Sequence, residues 1–250
     1  MNGRPFFRLC TIIVLLGVGL VGCFQSSLRD PFQVRPDAFR SGIGTIAIAP
    51  LRVSPEVVSP ALARDRFESL AQAQLEATGR TVLPSSRYAS LWNEIAASIG
   101  EIADPKTGEI DEERWDMVSE AVRGELRRND QADAVLLLQI VDVQIERPKD
   151  PVEFCGSTRR AFFEGPDGPV SLMRKWIVSA RGTCLIARLY DIDGRELYTE
   201  FHGIEIVEVR VDRTRSFRPL DRRLTSRIGV EVAVESVLTP LIDGLGRATP

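Results

Sequence analysis

Few side chains in this sequence could do covalent or proton-transfer chemistry: there are four cysteines and a single histidine in 250 residues. The histidine, His202, sits near Tyr198 and Glu200 in an alternating apolar and polar run. It reads as an ordinary strand residue, and its solitude excludes a metal site built from several imidazoles. No Cys-x-x-Cys, His-Glu-x-x-His, Gly-x-Ser-x-Gly or phosphate-loop spacing occurs. Asp191 and Asp193 resemble a carboxylate pair, but the Asp-Gly that follows explains them as turn residues, with Gly194 supplying positive φ. Asp104, Thr107, Glu109 and Asp111 lack the ligand spacing and closing Glu of a calcium loop. The expectation is a protein that is not an enzyme, with no catalytic residues and no metal.

Cys155 and Cys184 leave two readings open. They form a bridge in an oxidising compartment, or they are two separate small buried residues. The local charge excess is Arg210, Arg213, Arg215, Arg218, Arg222, Arg223 and Arg227, interspersed with Asp212 and Asp221. Arg213, Arg215, Arg218, Arg222 and Arg223 would suit anionic lipid headgroups or an acidic partner. The competing reading is a solvated loop and helix start. Trp92, Trp115 and Trp176 read as core.

The amino terminus is more specific. Arg4 and Arg8 precede an apolar run from Leu9 to Val21 with no acidic residue, the layout of a secretory signal and shorter than the about 20 apolar residues of a membrane-spanning helix. It closes on Leu20-Val21-Gly22-Cys23, which matches the lipobox of bacterial lipoproteins. The match implies a signal peptide over 1–22, cleavage before Cys23, and a diacylglycerol and an N-acyl lipid on its thiol and amine as the only non-protein groups. Each buried lipid methylene contributes about 0.8 kcal/mol, so several acyl chains hold a domain at the bilayer. Phe24, not the Asp that resembles an inner-membrane retention signal, favours the periplasmic face of the outer membrane. Removing Arg4 and Arg8 takes the formal net charge from −3 to −5, against nucleic acid as a partner.

The elements that must carry these residues follow from periodicity. Residues 23–42 read as the acylated cysteine and a flexible tether, and 43–246 as one α+β domain. A buried strand is expected over 44–53, a helix from Ser59-Pro60 to about Thr78, and a short strand over 80–83. A second helix opens at Pro84-Ser85-Ser86, and a third runs from an Asp111 N-cap to about Arg128. A central strand spans 133–146. Residues 147–174 read as a long connection holding one short strand near 160–163. Strands over 175–191 and 196–210 make a hairpin, and a last helix covers about 221–245 with Leu224, Ile228, Val232, Leu238, Leu241 and Leu245 on its apolar stripe. The order β-α-β-α-α-β-β-β-α describes a mixed sheet with helices packed on it.

Ile46-Ala-Ile-Ala-Pro-Leu51, Gly79-Arg80-Thr-Val-Leu83, Gln131-Ala-Asp-Ala-Val-Leu-Leu137 and the hairpin Leu189-Tyr-Asp-Ile-Asp-Gly-Arg-Glu-Leu-Tyr198 carry a resemblance. In element order, from about Gly44 to Leu245, the chain resembles the fold family that includes the curli-secretion lipoprotein CsgG and the N-terminal domain of TolB. The resemblance implies a periplasmic, membrane-tethered part of a secretion, assembly or envelope-maintenance system, often oligomeric. Arg181 and Arg188 interrupt Ile177 to Asp191 on opposite faces, a departure from the apolar-outward alternation of pore-forming strands. The expected function is therefore a non-catalytic adaptor or assembly component that meets envelope proteins or copies of itself. The alternative is a periplasmic small-ligand-binding protein or hydrolase with a lid over 147–174.

Overall fold

The computed structural model describes residues 30–35, 39, 42–53, 61–100, 102–103, 110–146, 151–159, 162–165, 168–171, 177–211, 214–219 and 222–246. In chain order they form β1 (Thr45–Ile48), β2 (Arg52–Val53), α1 (Ala61–Glu76), β3 (Thr81–Leu83), α2 (Ser85–Ile99), α3 (Glu112–Asp130) and β4 (Ala134–Glu146). Then follow β5 (Val152–Phe154), β6 (Ser157–Arg159), β7 (Phe162–Gly165), β8 (Gly168–Ser171), β9 (Ile177–Asp191), β10 (Glu196–Val211), β11 (Thr214–Phe217) and α4 (Arg227–Leu245). The main sheet runs β11-β10-β9-β4-β1-β3, with β2 also on β4. β1 lies parallel between β3 and β4, and β2 is also parallel to β4, whereas the pairs β4–β9, β9–β10 and β10–β11 are antiparallel. This is the α+β architecture expected, a mixed sheet with helices packed on it.

The alternation of β4 assigns its two faces. Ala134, Leu136, Leu138 and Ile140 meet Phe67, Ala71 and Leu75 of α1 and the apolar side of α4 in the largest core cluster. Val135 turns the other way, toward Val118, Val122 and Leu126 of α3 and Tyr88 and Leu91 of α2. Helices thus cover both faces where β4 begins. Asp111 caps α3, its Oδ1 accepting from Arg114 N at 3.1 Å, with Glu112 and Glu113 in the first turn and Arg127 and Arg128 in the last, as the helix dipole favours.

Several expectations are corrected. The strand over 44–53 is two pieces: Pro50 has no N–H for the ladder, Ala49 N still donates to Leu136 O at 2.9 Å, and Glu68 Oε1 of α1 takes up Leu51 N at 2.7 Å. The tether is shorter than read. Gln33 N donates to Leu197 O and Thr199 N to Pro31 O, both at 2.9 Å, and Phe39 is 1 % exposed in the core. Phe32 packs edge-on to Phe39 and against Tyr198, so the folded unit begins by Asp30. The connection over 147–174 holds four strands in two hairpins, β5–β6 and β7–β8. β11 was not expected at all. The last helix starts at Arg227 rather than about 221, because Ser226 Oγ accepts from Gly229 N and Leu224 is held outside the helix at φ 55°. Ile228 consequently faces out at 73 % exposure and does not join the buried stripe. Ser59-Pro60, read as the start of the first helix, lies outside the described residues, and no described helix is long and apolar enough to cross a membrane.

Candidate functional site

Beyond the reach of the helices, β4, β9 and β10 continue, joined by β11, as a four-stranded extension. One face of it is covered by the β5–β6 hairpin. Cys155 at the hairpin turn is disulfide-bonded to Cys184 of β9, with Cα atoms 6.3 Å apart. The Phe154 ring lies flat on a glycine floor. A Cβ at Gly182 would sit 2.5 Å from that ring, and one at Gly203 would lie 2.8 Å from it while colliding with Ser157 Oγ. Val152, Ile177, Ala180, Ile206 and Val209 complete this second core. The opposite face carries a charged ladder. Arg181 Nη2 donates to Asp142 Oδ2 at 2.9 Å, Thr183 Oγ1 donates to Asp142 Oδ1 at 3.1 Å, and Glu208 lies between Arg181 and Arg215 at 3.6 and 3.8 Å.

At the junction of the two regions β10 leaves regular alternation. Register shifts flank Glu205 and Ile206, so Ile204, Glu205, Ile206 and Val207 are all buried. Glu205, 6 % exposed, accepts from Arg218 Nη1 and from Leu224 N, both at 2.8 Å. Burial raises its carboxyl pKa, and the Leu224 N–H and the charges of Arg218 and Arg223 oppose that rise. This carboxylate is what holds the turn before α4 in place.

Beside it opens a cavity of about 340 Å³ between β10, β6 and the first two turns of α4. Ile204 and Ile206 form one wall and Leu224, Ile228 and Val232 the other, with Arg159 and Arg218 entering from the rim. Arg159 is fixed by Ile204 O at 3.2 Å and Gly203 O at 3.0 Å, and its Nη2 lies 3.4 Å from His202 Nε2. Burial, and then the Arg159 charge, push His202 below its ordinary pKa.

The arginine group does not act as one patch. Arg218 binds Glu205, Arg223 Nε donates to Arg218 O at 3.3 Å, and Arg227 pairs with Glu231 at 2.8 Å. Arg215 is more than half exposed beside Glu208, Arg222 is exposed, and Arg213 and Cys23 lie outside the described residues. Asp191 Oδ1 accepts from Arg195 N at 2.8 Å and Asp193 pairs with Arg127, which accounts for both without a cation. No described residues cluster in a way that could hold a metal ion, and positions 104–109 lie outside the described residues. Trp92 and Trp115 are half-buried, 4.5 Å apart, with Arg52 over the Trp115 ring at 4.8 Å, so they form an edge of the core and not its centre. Trp176 lies outside the described residues. Nor is 147–174 a free lid in its described part: β5–β6 is clamped to the sheet, and Arg159 is its contribution to the cavity.

The cavity itself was not foreseen. Its one sequence signal is an acidic residue inside Ile204-Glu-Ile-Val-Glu-Val209, where neither Glu205 nor Val207 breaks the buried run.

No protein-family model matches the chain, and no curated protein matches it. Solved structures do. A PelC dodecamer from Paraburkholderia phytofirmans is 12% identical with TM-score 0.35, over 80% of this chain and 89% of that one. A putative neuraminyllactose-binding hemagglutinin homolog from Helicobacter pylori is 11% identical with TM-score 0.36, over 90% and 91%. The hypothetical protein CT253 from Chlamydia trachomatis is 11% identical with TM-score 0.32, over 81% and 98%.

Proposed function

We propose that the chain is an envelope lipoprotein, held at the periplasmic face of the outer membrane through acylated Cys23, that serves as a non-catalytic adaptor or assembly component of a secretion or envelope-maintenance complex. Its partners are other envelope proteins or further copies of itself. The observation that carries this reading is the spacing between the lipobox cysteine and the point where the chain joins the fold. Asp30 follows Cys23 by seven residues, and residues 31–33 are already hydrogen-bonded to the start of β10. Seven residues reach no more than about 25 Å fully extended. An acyl group on Cys23 therefore presses one end of the domain toward the bilayer, the end with the β9–β10 turn and the last turn of α4. The other end, with the disulfide-clamped hairpin and β11, points into the periplasm. The buried Cys155–Cys184 bridge supports an oxidising compartment.

Anchoring also concentrates the domain in a layer, so weak contacts suffice for assembly. Replacing Cys23 with Ser behind a leader that is cleaved without lipidation tests the anchor: the expected result is a folded protein in the soluble periplasmic fraction, and membrane-bound protein of the cleaved length would overturn it. Cross-linking in whole cells followed by identification of the attached proteins tests the adaptor reading. Recovery of envelope proteins or higher-order self-adducts supports it, and recovery of the monomer alone contradicts it.

A second reading, a small-ligand-binding protein, is favoured by the cavity between β10 and α4.

A further inference from the structure

Resting on that second reading and independent of the anchor, we propose that this cavity binds a single-chain amphiphilic oxyanion, an alkyl chain of about eight to ten carbons ending in a carboxylate or a phosphate monoester. Three features of the cavity select this class.

The first is its two-sided lining. Ile206 and Leu224 are buried in its walls, while Ile228 and Val232, one helical turn apart on α4, stand 73 % and 37 % exposed at its mouth. Apolar area at that mouth is removed from water when an alkyl group comes to lie on it, which favours such an occupant. An alkyl chain running from the walls to the mouth would cover both.

The second is charge. Among the described residues, two guanidinium groups and one carboxylate face the space, and the carboxylate of Glu205 is already occupied by Arg218 Nη1 and Leu224 N. Arg218 Nε and Nη2 have no protein partner among the described residues. Arg159 is pinned by three backbone carbonyls, those of Ile204, Gly203 and Thr158, so its charge needs no ordering when a ligand arrives. The surplus is one positive charge at the rim of an apolar space, complementary to one oxyanion. An uncharged chain would leave it unused, and a cation would be repelled.

The third is size. A half-open space of about 340 Å³ suits one short alkyl chain, of the order of octanoate or decanoate, and is too small to enclose a diacyl lipid.

The test uses residues 24–250, which hold the whole folded unit from Asp30 onward, so that neither the leader nor an acyl group of its own competes. Octanoate, octyl phosphate and octanol are titrated and backbone amide shifts followed by NMR. Saturable shifts at Ile204–Ile206 and Leu224–Val232 are expected with the two anions, with octanol at least about tenfold weaker because it forfeits the charge-assisted bonds. Tighter octanoate assigns a fatty acid; tighter octyl phosphate assigns a phosphate headgroup. Arg159→Gln should weaken both anions about tenfold. Ile228→Ser, at an exposed position that leaves the fold intact, should weaken them about threefold. Equal affinity for octanol and octanoate, shifts centred elsewhere, or no saturation would overturn the proposal. Shifts at Ile228 and Val232 on dilution without ligand would also overturn it, by assigning the face to a second copy of the chain.

Discussion

At the end where β4 begins, the sheet is sandwiched: α1 and α4 press on one face, α2 and α3 on the other, and Leu136, Leu138, Phe67 and Val122 are fully buried without any covalent help. Toward Glu146 the same strand has no helix on either side among the described residues. One face relies on a three-residue hairpin strand, a disulfide and a phenyl ring lying on two glycines; the other is left to the Asp142–Arg181–Glu208–Arg215 ladder. Apolar area removed from water scales with the size of the covering element, so a helix can hold its face by packing alone and a hairpin this small cannot. The difference suggests that the helical end sets global stability and the extension is a locally stabilised appendage, with the cavity at the seam between them.

Phe67→Ala should have the largest effect. Emptying a site at 0 % exposure between α1 and the sheet is expected to cost about 3–5 kcal/mol, read as a fall in the denaturation midpoint of the whole domain. If it instead loosened only the extension, the division into two regions would be wrong. Replacing Cys155 and Cys184 together by Ser should come next, at about 3 kcal/mol for a bridge across a sequence separation of 29. Hydrogen exchange should show lost protection in β5, β6 and the first half of β9, with α1 and α3 unchanged. Uniform loss of protection would break the comparison from the other side.

Gly203→Ala is a sharper probe of the glycine floor. The added methyl meets Ser157 and the Phe154 ring, and should cost about 1–3 kcal/mol with exchange confined to the hairpin. A neutral outcome would mean that Phe154 moves aside freely. The smallest effect should be on pH dependence. Because the folded pKa of His202 lies below the ordinary 6.5, the unfolded chain takes up the proton first as pH falls. Stability owed to the neutral ring is complete above 6.5 and is lost on acidification through the lower folded value. The melting temperature should therefore drop between pH 7.5 and 5.5 by less in His202→Gln than in the parent chain; identical drops would remove His202 and Arg159 from the account.

Much of the architecture was legible because local pattern and tertiary burial agree in it. The 3.6-residue stripe of α3, its Asp111 cap, the two-faced apolar run of β4 and the Asp-Gly turn at 193–194 each name one structure. What escaped depends on contacts between distant residues. Phe32 and Phe39 look like linker residues in sequence, since nothing near them announces that Tyr198 will receive them. Leu224 continues the helical stripe on paper, but Glu205, nineteen positions earlier, binds its N–H and keeps it out of the helix. β5 and β6 are three residues each, too short to show alternation. The cavity follows from the register shifts in β10, and a strand's own sequence seldom declares where it bulges.

The proposed attachment at Cys23, which would fix the end of the domain that meets the membrane, is tested most directly by the mass of the mature amino-terminal peptide from protein purified out of membranes. The expected peptide begins at Cys23 and carries a diacylglycerol on sulfur and a third acyl chain on the amine. A peptide beginning at another residue, or a Cys23 with an unmodified thiol, would contradict the account.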